Sequence, residues 1–260
     1  MRRPLLSLLA LALVFQGTAC FRALNPLDFP TSTALFEAGL RAYEREKWGN
    51  AINAFERLTL DLPTRDSLLP PSHWYLGKAR LGNDERLLAA QSFIRLAESF
   101  PQDSLADDAL YLSGRAYAGL WRSPSLDPQY GLLAQTQYRL LAAVYPASPW
   151  ADSAAAELKR LDEWFASKDY ETAMHYIRRK AYDSAIIYLR DVVTNWPDSD
   201  KARLAMLRLV EVYRLPVMRY EADAEEMCET LRAAYPTDPE VLRTCKVDPG
   251  AGAPVPSAPR

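Results

Sequence analysis

Ala51-Ile-Asn-Ala-Phe55-Glu-Arg-Leu58-Thr-Leu-Asp-Leu62-Pro63 is one amphipathic helix with a stop written at its end. Its small, aromatic and aliphatic residues fall four and three apart, which puts them on one helical face, and proline cannot continue the ladder. The same sentence recurs. Phe100-Pro101, Tyr145-Pro146, Trp196-Pro197 and Tyr235-Pro236 repeat the ending of Leu62-Pro63. Twelve residues before each proline stands an alanine: Ala51, Ala89, Ala134, Ala185 and Ala224. Eight before stand Phe55, Phe93, Tyr138, Leu189 and Cys228; five before stand Leu58, Leu96, Leu141, Val192 and Leu231. A small residue lets a neighbouring helix approach, and the bulky residue one turn later fills the space beside it.

A partner helix precedes each copy. Gly39 and Gly77 lie twelve residues before Ala51 and Ala89, Ala173 holds the same offset from Ala185, and Gly114 with Tyr117 serves the third copy. There Arg122-Ser-Pro-Ser-Leu-Asp-Pro-Gln129 lengthens the turn. Residues Trp150 to Phe165 supply extra helix before the fourth copy. Glycine, then alanine, then an aromatic four later and proline eight later is the tetratricopeptide pattern. A single pair cannot bury its apolar face, so pairs stack. The expected fold is all-α, a tetratricopeptide-repeat solenoid of about five helix pairs over residues 32–246, with repeats ending near 63, 101, 146, 197 and 236.

The ends read differently. Arg2 and Arg3 precede an apolar run from Leu5 to Phe15 and small residues before Cys20, the layout of a secretory signal over 1–19. Eleven helical residues rise only about 16 Å, too short to span a bilayer. Gly17-Thr-Ala-Cys20 resembles a bacterial lipobox, with Gly17 where an aliphatic is usual, and Cys20 is the expected lipidation site; the alternative is ordinary signal peptidase, which Gly17 and Ala19 also suit and which would cut the same bond without attaching lipid. Phe21 follows, not the aspartate that would resemble the inner-membrane retention signal of enteric lipoproteins, so the outer membrane is the expectation. Residues 20–31 read as a tether. The Pro-, Ala- and Gly-rich residues 247–260 read as a disordered tail.

Without Arg2 and Arg3 the chain carries 29 basic against 33 acidic residues, a net charge of −4, which argues against electrostatic nucleic-acid binding. His73 and His175 are the two histidines, and no cluster around them forms a metal site or a nucleophile–base pair. Glycines are scarce and none cluster to cradle a phosphate. No cofactor or metal is expected, and no catalysis. Asp103, Asp107 and Asp108 sit at a helix start, where acidic residues favour the dipole. Cys228 and Cys245 leave two readings open: a disulfide clipping the last helix, or a buried thiol at Cys228, whose position is filled by Phe55 and Phe93 in earlier copies.

Ala34-Leu-Phe-Glu-Ala-Gly-Leu-Arg-Ala-Tyr43 with Ala51 to Phe55, Tyr145-Pro-Ala-Ser-Pro-Trp-Ala-Asp-Ser153, and above all Tyr170-Glu-Thr-Ala-Met-His-Tyr-Ile-Arg-Arg-Lys-Ala-Tyr182 followed by Trp196-Pro-Asp-Ser199 carry a resemblance. Over roughly residues 33–236 the chain resembles the BamD family, the tetratricopeptide lipoproteins of the outer-membrane β-barrel assembly machine. Two departures stand out: Lys180 replaces the glycine of the family's "Arg-Gly-Ala-Tyr" turn, and His175 replaces the first of an aromatic pair. The resemblance implies a non-enzymatic scaffold on the periplasmic face of the outer membrane. Its N-terminal repeats would bind unfolded outer-membrane proteins and its C-terminal repeats would dock the POTRA-bearing barrel subunit.

Candidate groove residues are Phe36, Leu40, Tyr43, Trp74 and Lys78; each apolar one fits the inter-repeat core equally well. Candidate docking residues are Arg178, Arg179, Lys180, Arg203 and Arg208, with Arg214 and Arg219 nearby, although their spacing marks no single helical face. The alternative is an adaptor of the same fold for another envelope machine, in pilus, secretion or cell-wall assembly.

Overall fold

The computed structural model of the chain describes residues 23–246. The expected signal 1–19, the lipidation site Cys20 and the tail 247–260 lie outside the described residues. Among those described, every long element is an α-helix and none is a strand. The first pair is α1 (Ser32–Glu44) and α2 (Trp48–Asp61); α3 (Leu69–Gly82) and α4 (Arg86–Ser99) follow, then α5 (Ala106–Ala118) and α6 (Gln129–Val144). Next come α7 (Ala151–Arg178), α8 (Tyr182–Asn195), α9 (Asp200–Tyr213), α10 (Glu221–Ala234) and the short α11 (Pro239–Thr244). The fold is therefore all-α, with five tetratricopeptide-type helix pairs. The chain forms two compact units, divided between residues 116 and 117. In the first, α2 packs on α1 and α3, and α3 on α4. In the second, α7 packs on α6, α8 and α9, while α10 and α11 pack on each other and on α9.

All fifteen positions of the proline-indexed pattern are core. The alanines, the bulky residues one turn later and the aliphatics beyond them are each at most 2% exposed. The reason for the glycines is visible in the first two pairs. A Cβ on Gly39 would lie 2.9 Å from Phe55, and one on Gly77 would lie 2.6 Å from Phe93. Each ring thus rests directly on the backbone of the helix opposite.

The helix ends follow from backbone chemistry. The residue before each proline still donates to the carbonyl four back: Leu62 to Leu58, Phe100 to Leu96, Tyr145 to Leu141, Trp196 to Val192 and Tyr235 to Leu231. Proline then has no N–H to offer and pushes its predecessor out of the helical region. Two or three residues later a short polar side chain starts the next helix. Asp66 accepts from the Leu68 N–H, Asp103 from Leu105, Ser148 from Trp150 and Asp238 from Glu240 and Val241. Asp238 is a true N-cap, whereas Asp66, Asp103 and Ser148 close turns just ahead of their helices; each satisfies an amide that would otherwise lack a partner.

Within the pairs, the three-residue turns close with the chain in the left-handed region at Glu46 (φ 54°), Asp84 (58°) and Lys180 (59°). The following N–H reaches back five residues, Lys47 to Ala42, Glu85 to Arg80 and Ala181 to Tyr176. Lys180 therefore stands where glycine would relieve about 1–2 kcal/mol of strain.

The tether expectation for 20–31 needs correction within its described part. Asn25 caps a 3-10 turn, Pro26–Asp28. The Leu24 N–H donates to Asn50 Oδ1 at 3.0 Å, and Leu24 and Phe29 pack against the α1–α2 core. Two apolar side chains and one backbone bond convert an aperiodic segment into a strap.

Candidate functional site

Phe36, Leu40 and Tyr43 lie four and three apart on α1, and Trp74 and Lys78 four apart on α3, so each set shares a face. All five side chains are half-buried. The structure divides them. Phe36 meets Phe55 and Tyr75 edge-on, with centroids 5.6 and 6.1 Å apart, and Leu40 packs on the same core. These two belong mainly to the packing between helices. Tyr43, Trp74 and Lys78 come together with Tyr75. The Lys78 ammonium lies 5.3 Å from the Tyr43 ring centre, 5.5 Å from that of Trp74 and 5.9 Å from that of Tyr75. A cation among three ring faces is held by their quadrupoles without being neutralised. Trp74 is itself propped edge-on by Phe93, and Tyr43 by Trp48. Sequence reading missed Tyr75; its signal was the aromatic dipeptide Trp74-Tyr75 in front of a helix-contact glycine.

The basic set also divides. Arg203 lies 3.1 Å from Asp238 and 3.2 Å from Glu240, tying α9 to the start of α11. Arg208 pairs with Glu211 and hydrogen-bonds Tyr170, and these contacts hold its guanidinium charged. Arg214 donates to the Thr244 carbonyl and Arg219 to that of Pro216. Arg203, Arg208 and Arg214 are thus paired with carboxylates inside the chain, while Arg219 is exposed and bonded to a backbone carbonyl. Arg178, Arg179 and Lys180 are exposed at the end of α7. Arg178 borders an open groove of about 560 Å³ shared with Ser125, Lys168, Glu171, His175 and Tyr176. Lys168 donates to the Leu126 carbonyl at 2.9 Å, fixing the connection before α6 to α7. Cys228 and Cys245 are joined in a disulfide. Among the described residues no group of His, Cys, Asp or Glu is placed to hold a metal ion.

His73 on α3 is a strongly perturbed titratable group. Burial, then the charges of Arg95 and Arg80, lower its pKa to about 4. The folded protein keeps it neutral while the unfolded chain protonates it below about 6.5. Its contribution to stability is therefore complete above pH 6.5 and is lost as pH falls toward 4, by up to about 2 kcal/mol after allowing for solvent screening. Asp162 and Asp169 act in the opposite sense. Burial raises both, against the hydrogen bonds from Gln135 and Trp196, so they favour the fold at low pH and that help is lost as pH rises through their raised values. Urea titrations between pH 4 and 7 will show the His73→Gln variant with a flatter profile than the parent chain.

Stacked helix pairs of this type define a repeat protein, and in its first unit three aromatic rings surround one lysine ammonium. The family model described as "Outer membrane lipoprotein" (YfiO) matches residues 30–231, and the chain belongs to that family. Similar to it is the outer membrane protein assembly factor BamD of Vibrio cholerae serotype O1 (strain ATCC 39315 / El Tor Inaba N16961). That protein is 27% identical over 222 residues, which cover 82% of this chain and 90% of the relative. A tetratricopeptide protein from the thermophile Thermus thermophilus matches at 17% identity over 82% of this chain and 97% of its own. Its TM-score of 0.35 leaves the fold to rest on the helix packing itself. The chain is a BamD-like, non-enzymatic member of its family. No helix among the described residues is long and apolar enough to cross a membrane.

Proposed function

We propose that the chain is a lipid-anchored scaffold of the outer-membrane β-barrel assembly machinery. It holds unfolded outer-membrane polypeptides on its first two helix pairs and docks the POTRA-bearing barrel subunit through its C-terminal pairs. The similarity to an assembly factor supports the machine. The observation that carries the substrate reading is the Lys78 ammonium set among Tyr43, Trp74 and Tyr75. Such a platform receives an extended chain through ring faces and gives one positive charge to a carboxylate. The exposed Arg178, Arg179 and Lys180 are the docking residues this reading favours, since Arg203 and Arg208 are engaged internally. In this reading the lipid is carried by Cys20, the cysteine of the lipobox-like Gly17-Thr-Ala-Cys20, and the other two cysteines pair with each other.

The test is peptide binding. A synthetic C-terminal strand of an outer-membrane protein should bind the parent chain, and Lys78→Met should weaken it about tenfold, the loss of roughly 1.4 kcal/mol. The same peptide with an amidated C-terminus should bind both proteins alike. Equal affinity of the parent and Lys78→Met proteins for the free-acid peptide would rule out the platform as the substrate site.

A further inference from the structure

The strap fixes how far the first unit can stand from a bilayer. Leu24 is docked by its N–H on Asn50 Oδ1 and by its side chain in the α1–α2 core. Three residues, Phe21 to Ala23, separate it from Cys20. Even fully extended, the four steps from Cys20 to Leu24 span only about 14 Å. A lipid on Cys20 lies with its attachment point in the headgroup layer, so Leu24 and the α2 start that receives it are held within that distance of the membrane. Beyond the docked residue, the turn Pro26–Asp28 projects Leu27, whose side chain is 77% exposed, the largest exposure among the chain's large apolar residues described. The turn is braced from both sides, by Leu24 before it and Phe29 after it, so Leu27 is presented on a fixed knuckle rather than on a loose end.

We infer that residues 24–29 form a short-leash stop that seats the first helix pair on the phospholipid surface, with Leu27 entering the interfacial layer. The occupant is the bilayer that carries the lipid anchor, because the length of chain left before the dock permits no distant one. The docking of Leu24 makes the acylated end an orienting contact, which keeps the α1–α3 face at one height above the membrane. The inference rests on lipidation of Cys20.

The experiment uses the full-length, membrane-expressed protein reconstituted into phosphatidylethanolamine–phosphatidylglycerol vesicles. Leu27→Cys carries an environment-sensitive fluorophore, and Leu242→Cys, at an exposed position of α11, serves as the control. The expected result is a blue-shifted Leu27 probe, quenched at least threefold more by headgroup spin-labelled lipid than the control. Inserting ten Gly-Ser residues between Arg22 and Ala23 should return the probe to solvent-like emission. Acyl mass on Cys20 is measured on the same sample. A solvent-like Leu27 probe on acylated protein overturns the seating alone. A sample without acyl mass overturns the lipoprotein reading and the seating with it.

Discussion

Gly77→Ala and Phe93→Ala will each destabilise the first unit, and together they will cost less than the two added. Phe93 is fully buried and its ring lies against the backbone at Gly77, where a Cβ would meet three ring atoms at 2.6–2.8 Å. The ring cannot swing aside, because Trp74 packs edge-on against it at 5.6 Å. Truncating it leaves a cavity worth about 3–5 kcal/mol. Adding the methyl to Gly77 overpacks the site by about 1–3 kcal/mol, set against a gain of about 1 kcal/mol in helix propensity. In the double variant the methyl enters space the ring has left, so the coupling energy has the sign of relief and a size of about 1–2 kcal/mol. Repeat proteins open in parts, so amide exchange of α2 to α4 is the measurement, not one melting temperature. Strict additivity would mean that Gly77 is not there for the ring.

Loss of the disulfide is the second large effect. α11 has six residues, too few to hold itself as a helix. It is kept by buried Val241, by Arg203 on Asp238 and Glu240, by the Arg214 and Arg232 bonds to the Thr244 and Cys245 carbonyls, and by the covalent link to Cys228. The cysteines are 17 residues apart, and opening a loop of that size costs about 3 kcal/mol in the chain-entropy model. Cys228→Ala with Cys245→Ala should lower the urea midpoint of the second unit and speed exchange across α11 and the end of α10. Reductant should bring the parent protein to the same state and leave the variant unmoved. A reductant-insensitive midpoint in the parent would show that the noncovalent contacts suffice.

The repeat was legible because it is written in residue size. Alanine at one offset and a bulky residue one turn later are what close helix packing requires, and all of them are core. Size compensation in the first two pairs was legible too: Gly39 faces Phe55 and Gly77 faces Phe93, and at the same offset the fourth copy has Ala173 with Leu189. The proline stops predicted helix ends to within two residues. The short polar residues after them, Asp66, Asp103, Ser148 and Asp238, carried a turn signal that only the hydrogen bonds made plain.

Other features depended on tertiary contacts. Leu24 and Phe29 have no periodicity to announce a docked strap. Trp121, in the lengthened connection, is 1% exposed, packed on Trp164 and Phe165 and over Gly131, a core residue that nothing in the local pattern marks. The site was half legible. Helical spacing collected Tyr43, Trp74 and Lys78, but it could not separate them from Phe36 and Leu40, which point into the same helix interface. For the arginines, charge was visible and partners were not. Asp238 and Glu240 neutralise Arg203 from another helix, 35 and 37 residues away along the chain.

A stable place in the outer-membrane assembly machinery is tested most directly on the native complex. The full-length protein is purified from its own membranes in mild detergent, and mass spectrometry identifies what accompanies it. A POTRA-bearing barrel protein recovered in stoichiometric amount is the predicted result, with Arg178→Glu/Arg179→Glu/Lys180→Glu reducing it sharply. Recovery of pilus, secretion or cell-wall components in its place would contradict that membership.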